Sequence, residues 1–217
     1  MTIIWIASIE GGTTLVERLA HQGNGTPFYE EIAANPFVGR ADQHDTVHFL
    51  CTALLLQERG FRKAVEFAGR PPGVSRCRKT QPSSFEAAPH PLVLCDFHPF
   101  KSLVGTEYLL SSHEQREVIR TIYRLLCVPP PDLVVYLRAA PDVVVARLRQ
   151  QNEDVDALMI ERACLAHEAF FRRYKGEKVD LDTTSFDYTD PLALASILRE
   201  VPLLYGRSFG EFPPGGA

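Results

Sequence analysis

The order of apolar and polar residues along the chain predicts strands that alternate with helices. Continuous apolar runs rich in β-branched residues are typical of strands buried on both faces of a parallel sheet, and they occur at 3–9, 92–96, 133–137 and 179–182. Apolar residues at helical spacing lie between and after these runs, at about 14–20, 47–67, 113–127, 141–150, 156–174 and 190–199. The alternation predicts an α/β fold, with helices on both sides of a five-stranded, mainly parallel sheet.

The turn after the first strand has a pattern of its own. Glu10, Gly11 and Gly12 interrupt the apolar run. Thr14 and Glu17 then have the spacing of a capping box, which predicts that the first helix begins at Thr14. Parallel sheets bind ligands beyond the carboxyl ends of their strands, so this turn belongs to the expected site. The same rule adds the segment near Glu30, Asp96 after the second apolar run, and Arg138 after the third.

The length of 217 residues fits one large domain, which we place at 1–205. Proline, glycine and polar residues cluster at 69–91, which predicts a loop insertion, and residues 206–217 are typical of a flexible tail. The insertion is open to two interpretations, a solvated linker or an interaction arm with basic side chains.

Charge and cysteine usage exclude several classes of protein. Basic and acidic side chains nearly balance, 23 against 27, so no basic surface for nucleic acid is expected. No apolar run is long enough to span a bilayer. The five cysteines form no C-x-x-C pair, and the N-terminus lacks a basic signal region, so we expect a cytoplasmic protein that binds neither nucleic acid nor membrane. His44, His48 and His98 share no metal-ligand spacing; we expect surface or loop histidines and no metal site.

Several segments carry a resemblance when they are taken in order. Residues 11–20 are similar to G-K-T-T-L-A-E-R-L-A, and residues 30–37 to E-x-x-x-x-N-P-F/Y. Residues 95–101 are similar to an S-D-Y/R stretch, residues 131–147 to P-D-L-V-x-Y-L followed by Pro and Arg, and 179–184 to a last strand. This series resembles the deoxynucleoside kinase family, particularly its bacterial deoxyadenosine and deoxyguanosine kinase branch. The fold that it implies is P-loop-kinase-like.

The resemblance implies transfer of the γ-phosphate of ATP, with Mg²⁺, to the 5′-hydroxyl of a deoxynucleoside. In such an enzyme Glu30 is the general base, and Asp96 orients the nucleophile or the magnesium shell. Arg147 belongs to the lid over the phosphates. The phosphates are held at a helix N-terminus by Gly11, Gly12, Thr13 and Thr14. The family also implies a homodimer, or a heterodimer with a paralogue, formed through the long helix and the helix at 113–127.

The phosphate-binding pattern G-x-x-x-x-G-K-[ST] is incomplete in this chain. Aligned without gaps, its first glycine is Ile6, its lysine is Gly12, and Ile9 lies where the family often has another glycine. Glu10 places a carboxylate where polyphosphate would lie. Hydrogen bonds to charged groups contribute about 1.5–3 kcal/mol each, so loss of the lysine alone predicts ATP binding about ten- to hundredfold weaker.

Two further positions differ from the family in the same direction. Cys51 aligns with the glutamine that reads the base, and a small core residue is its plain interpretation. Glu153 and Asp154 follow Arg147 where the lid usually carries several arginines.

Each candidate residue also has a plain structural interpretation. The residues from Gly11 to Thr14 form a tight turn before a helix, and Arg147 is then a solvated helix cation. Glu30 is a loop acid, for which the neighbouring Glu31 could substitute. Asp96 caps the next segment. Lys101 is the candidate replacement for the missing lysine.

Two functions of different classes therefore stay open. The first is a deoxynucleoside kinase with a weakened ATP site that uses Glu30 and Asp96. The second is a non-catalytic protein of the same fold, a pseudokinase that binds or regulates an active paralogue.

Overall fold

A computed structural model describes residues 2–21, 25–38, 43–69, 92–151, 153–186 and 201, without the side chains of residues 43–45. The strands are β1 (Thr2–Ala7), β2 (Thr26–Phe28), β3 (Leu92–Cys95), β4 (Leu133–Arg138) and β5 (Lys178–Asp182). The helices are α1 (Gly12–His21), α2 (Gln43–Phe67), α3 (Phe100–Leu109), α4 (His113–Leu126), α5 (Pro141–Gln150) and α6 (Ala157–Arg173). Most of the predicted insertion, the predicted helix at 190–199 and the tail lie outside the described residues.

The strands form one five-stranded sheet in the order β2-β3-β1-β4-β5, and every neighbouring pair is parallel. Parallel strands align their carboxyl ends at one edge of the sheet, which we call the carboxyl edge. The segments that follow β1, β2 and β3 therefore meet there.

Alternate residues of β1 face opposite layers of helices. Ile4 and Ile6 pack in the cluster that contains Leu15 and Leu19 of α1. Their neighbours on the other face pack against α2 and α6: Ile3 joins the cluster with Phe61, and Trp5 joins the one with Phe170 and Phe171. Helices on both faces confirm the predicted three-layer α/β/α fold.

The start of α1 differs from the prediction. The helix begins at Gly12, so Thr14 lies in its first turn and the predicted capping box is wrong. Gly11, the residue before the helix, has φ 80, a left-handed conformation that glycine adopts without strain. β1 ends at Ala7, and Ile9 turns away from the sheet to pack beside Val144 and Leu148 of α5.

Helix α3 was not predicted, and α2 begins four residues earlier than predicted, at 43 instead of 47. The residues of α3 carry no clear apolar stripe because neighbouring helices cover several of its sides. Its buried residues include polar and small ones as well as apolar ones: Ser102, Val104, Gly105 and Thr106.

His98 is fully buried, so the prediction of a surface or loop histidine is wrong for this residue. Its ring lies 4.4 Å from that of Phe61 and 4.4 Å from that of Phe100, centroid to centroid. Its Nδ1 accepts a hydrogen bond from the Phe100 amide at 3.1 Å, and Nε2 lies 3.2 Å from the Pro129 carbonyl oxygen. These partners fit a neutral ring, and burial lowers the pKa of His98 to about 3.

Two predictions from composition concern membrane-spanning helices and the cysteines. None of the helices in the described residues has the length and apolar content needed to cross a membrane. The four cysteines among these residues are free thiols, and the half-buried Cys51 packs against the cluster between α2 and α4.

The buried neutral ring of His98 predicts a loss of stability in acid. An unfolded histidine takes up a proton as the pH falls through about 6.5, whereas folded His98 resists protonation until about pH 3. This histidine therefore supports the fold fully above pH 6.5, and its contribution falls by up to about 1.4 kcal/mol per pH unit below that. Urea unfolding of the wild type and His98→Gln between pH 7.5 and 4.5 measures the difference.

The variant should be less stable at pH 7.5, and the gap to the wild type should narrow as the pH falls. A gap that stays constant over this range would contradict a neutral buried His98.

Candidate functional site

Asp96 lies directly after β3 and joins three segments of the carboxyl edge. Its Oδ2 accepts a hydrogen bond from the Thr13 hydroxyl at 2.7 Å, and its Oδ1 accepts one from the Glu30 amide at 2.8 Å. Burial raises the pKa of Asp96 above its usual range, although these two hydrogen bonds and the charge of Lys101 act in the opposite direction. The structure thus brings the predicted residues Glu30, Asp96 and Thr13 together.

Glu30 lies two residues after β2 and is held by two side chains. Gln57 of α2 donates a hydrogen bond to its Oε1 at 2.5 Å, and Lys101 of α3 lies 2.5 Å from its Oε2. Gln57 is itself fixed, because its Oε1 accepts a hydrogen bond from the Ser102 hydroxyl at 2.8 Å. The Glu30 side chain is 12% exposed and that of Lys101 is 39% exposed, so the pair opens toward solvent on the lysine side.

The sequence analysis missed Gln57 and the partner of Lys101. A signal for Gln57 exists, since α2 buries residues at 50, 53, 54, 57, 61 and 64, which is helical spacing. A glutamine on a buried stripe needs a polar partner, and Glu30 and Ser102 supply it. Lys101, the candidate replacement for the phosphate-loop lysine, pairs with Glu30.

The β1–α1 turn, residues 8–12, lies where the phosphate-binding loop is expected. Gly11 has the left-handed backbone that such a turn needs. A Cβ atom added to Gly12 would clash with the Ser8 hydroxyl, so a side chain at this position requires the serine side chain to move. Ile9 is not strained, since Cys127 is the only non-glycine residue with positive φ among those described.

Glu10, in the same turn, is buried and paired with the predicted phosphate ligand Arg147. An Arg147 guanidinium nitrogen lies 2.7 Å from Glu10 Oε1, and the side chains of Glu10 and Arg147 are only 5% and 17% exposed. The other terminal nitrogen of Arg147 donates to the carbonyl oxygens of Thr183 at 2.7 Å and Phe186 at 2.6 Å. Arg147 is therefore not a solvated helix cation, and its role as a phosphate ligand stays a prediction.

This ion pair decides whether a triphosphate fits. ATP needs free backbone amides and cations around its phosphates, but here a carboxylate lies in the turn and takes the nearby guanidinium. The residues of the turn do not fit a polyphosphate in this conformation.

The remaining candidates lie as follows. Glu31, the substitute for Glu30, has a half-exposed side chain and pairs with Lys63 at 3.4 Å. His48 is exposed, with its ring 5.3 Å from that of Phe37, whereas the side chain of His44 lies outside the described residues. Thr14 lies in the first turn of α1. Among the residues described, no group of three or more His, Cys, Asp and Glu side chains could hold a metal ion.

Comparisons with known proteins identify the fold. No protein-family model matches the sequence, nor does any curated protein. Solved structures of M. mycoides deoxyadenosine kinase are similar to it. The one with dCMP and dCDP bound has a TM-score of 0.71 at 12% identity and covers 92% of this chain and 98% of its own. The one with bound dATP has a TM-score of 0.70 at 11% identity over 93% and 100% of the two chains. At this identity the likeness shows a deoxynucleoside-kinase-like fold.

The buried ion pair predicts a large effect of Arg147 on stability. Arg147→Met leaves the Glu10 carboxylate buried without its cation, and breaking a buried pair in this way costs about 3–5 kcal/mol. The free energy of unfolding from urea titration measures the loss. Arg149→Met is the matched control, since Arg149 is exposed on the same helix and its loss should cost less than about 0.5 kcal/mol.

Replacing Glu10 by Gln in the Arg147→Met background should recover part of the loss, because it removes the unpaired charge. Equal stability of the Arg147→Met and Arg149→Met proteins would contradict the ion pair.

Proposed function

We propose that this protein is deoxynucleoside-kinase-like, that it binds a deoxynucleoside beside Glu30 and Asp96, and that its ATP-dependent phosphoryl transfer is weakened or lost. We also propose that the chain resembles the bacterial deoxyadenosine and deoxyguanosine kinase branch of that family. In this proposal residues 1–205 form one domain.

The observation that carries the proposal is the support of Glu30. Gln57 and Lys101 each reach one of its oxygens at 2.5 Å, at the carboxyl edge of a fold similar to deoxyadenosine kinases. The carboxylate is thus held in one position by side chains from two different helices.

Glu30 and Asp96 have separate parts in the proposal. Each carboxylate oxygen has two lone pairs, so Glu30 can accept a hydrogen bond from a sugar hydroxyl beside the bonds it already makes. It is then placed to take the proton of that hydroxyl as a general base. Asp96 accepts a hydrogen bond from the Glu30 backbone amide at 2.8 Å, which fixes the backbone there and thereby orients the Glu30 carboxylate.

The loss of ATP use rests on the β1–α1 turn. Glu10 and Arg147 neutralise each other's charge there. Gly12 stands where the family pattern has a lysine, so that position contributes no ammonium group. ATP would have to separate a buried ion pair before it met a cation, and its phosphates would then lie beside the Glu10 carboxylate.

The second candidate, a non-catalytic regulatory partner, is favoured by the surface of α4. Val118 is 48% exposed and Leu125 is 77% exposed on this helix, and Leu55 of the neighbouring α2 is 50% exposed. Exposed apolar side chains on these helices fit a dimer surface, for a second copy or for a paralogue. Such a protein would bind its partner and show no turnover.

Calorimetry with single deoxynucleosides and with ATP–Mg²⁺ tests the main proposal. We expect binding of at least one deoxynucleoside and none of ATP–Mg²⁺ up to millimolar concentration. Glu30→Gln should weaken nucleoside binding about ten- to hundredfold, because it removes hydrogen bonds to a charged acceptor. Glu31→Gln is the matched control, being the adjacent exposed acid, and should change the affinity less than twofold.

Product formation from radiolabelled ATP completes the test. If Glu30→Gln leaves the turnover unchanged, Glu30 is not the general base. Micromolar binding of ATP would overturn the proposal of a weakened phosphate site. If there is no turnover, and size-exclusion chromatography shows a complex with a second copy or a paralogue, the result would favour the function as a non-catalytic regulatory partner.

A further inference from the structure

A groove of about 430 Å³ lies between the helices α3, α4 and α6. Leu103 and Val104 of α3, Tyr123 of α4 and Phe170 of α6 supply its apolar lining. Tyr123 and Phe170 are only half-buried, so both rings stay accessible from outside the core. The volume lies within the range of ligand-binding pockets, and a groove of this size can hold one large apolar side chain.

The charged side chains that line the groove are mostly basic. Among the described residues of the lining, three are arginines, Arg120, Arg124 and Arg173, and one is an acid, Glu107. The whole chain has a formal net charge of −4, so this local excess of arginine does not follow from the composition. The excess favours a partner with negative charge.

Two of these arginines have exposed guanidinium groups that a partner can reach. Arg120 lies 2.6 Å from Glu107 and 2.5 Å from Glu117, so its charge is matched inside the protein. The Arg124 side chain is 66% exposed and lies 3.5 Å from Glu117. Arg173 is exposed and makes no hydrogen bond or ion pair to the described part of the chain. The rim of the groove thus offers two cations from two different helices.

The groove lies on the side of α4 opposite to the exposed apolar residues of that helix. Arg120, Tyr123 and Arg124 share one face of α4 by their helical spacing. Val118 and Leu125 lie about half a turn away from that face. A partner in the groove would therefore contact a different surface from a partner at Val118 and Leu125.

These features fit an acidic peptide segment that carries one large apolar side chain. Burial of that side chain against Leu103, Tyr123 and Phe170 removes apolar surface from water. Acidic residues next to it in the segment can form charge-assisted hydrogen bonds with the two exposed guanidinium groups. A nucleic-acid strand fits less well, because its evenly repeated phosphates would also meet the carboxylates of Glu107 and Glu117.

We propose that the groove between α3, α4 and α6 is a docking site for another protein, and that it binds an acidic segment with one large apolar side chain. The apolar side chain enters the groove, and its acidic neighbours pair with Arg124 and Arg173. No residue that lines the groove hydrogen-bonds Glu30 or Asp96 in the described part of the chain, so the docking site does not rest on the proposed binding of a nucleoside.

Fluorescence anisotropy with the full chain tests the docking site. The probes are synthetic peptides with aspartates on both sides of one central Phe, Leu or Trp, and we expect at least one to bind with a dissociation constant below about 1 mM. A central Gly should weaken binding at least tenfold, because it removes the apolar contact. Replacing every Asp by Lys should abolish binding. Added salt should weaken binding, because the ion pairs are exposed.

Charge reversals on the rim locate the binding. Arg124→Glu and Arg173→Glu should each weaken the tightest peptide about three- to tenfold, because each replaces an exposed ion pair by a repulsion. Arg172→Glu is the matched control, since Arg172 is the exposed neighbour of Arg173 on α6 and lines a different groove, beside Asp180. It should leave the affinity within twofold of the wild type. Thermal unfolding checks that each variant folds.

Several results would overturn the docking site. One is the absence of binding by all three acidic peptides up to millimolar concentration. Equal binding of the peptide with a central Gly, or equal effects of Arg172→Glu and Arg173→Glu, would show attraction by overall charge without use of the groove. An oligonucleotide that binds more tightly than every acidic peptide, and that both rim variants weaken, would assign the groove to nucleic acid. Calorimetry with nucleosides is a separate measurement, so the docking site and the proposed function can fail independently.

Discussion

The buried ion pair between Glu10 and Arg147 fixes the β1–α1 turn at the carboxyl edge of the sheet. Two charges removed from water are costly to separate, because each then stays buried without a partner. Arg147 also donates to the carbonyl oxygens of Thr183 and Phe186, so one guanidinium joins the β1–α1 turn, α5 and the segment after β5. A polyphosphate that needed this arginine would have to compete with a carboxylate that the fold itself holds in place.

The neighbouring acids, Glu30 and Asp96, have partners of a different kind. Glu30 receives its bonds from Gln57 and from Lys101, and the lysine side chain is 39% exposed. Asp96 bonds a backbone amide and a hydroxyl, neither of which is charged. The edge therefore has a closed end at Glu10 and an adaptable end at Glu30. This contrast is the physical reason to expect nucleoside binding without efficient use of ATP.

The sequence predicted the elements that have a regular pattern of apolar residues. It did not predict the contacts between residues that are far apart in the chain. Four of the five strands and the helices α4 to α6 have a regular apolar pattern and were placed within one or two residues, whereas the three-residue strand β2 was not predicted. α3 has no such pattern because it is covered on several sides. Glu10 was identified as an acid near phosphate, but its cation is 137 residues away in the chain, and no local pattern reveals it. The catalytic and phosphate-binding roles of the candidate residues stay predictions.

The β1–α1 turn differs from the phosphate-binding sequence pattern at several residues, so no single substitution restores that pattern. A lysine at position 12 would begin with a Cβ atom that clashes with the Ser8 hydroxyl, which would have to move. Removing Glu10 alone would leave Arg147 among carbonyl oxygens, with no lysine to share the phosphate charge. Several residues of the turn and of α5 thus act together to hold an internal carboxylate.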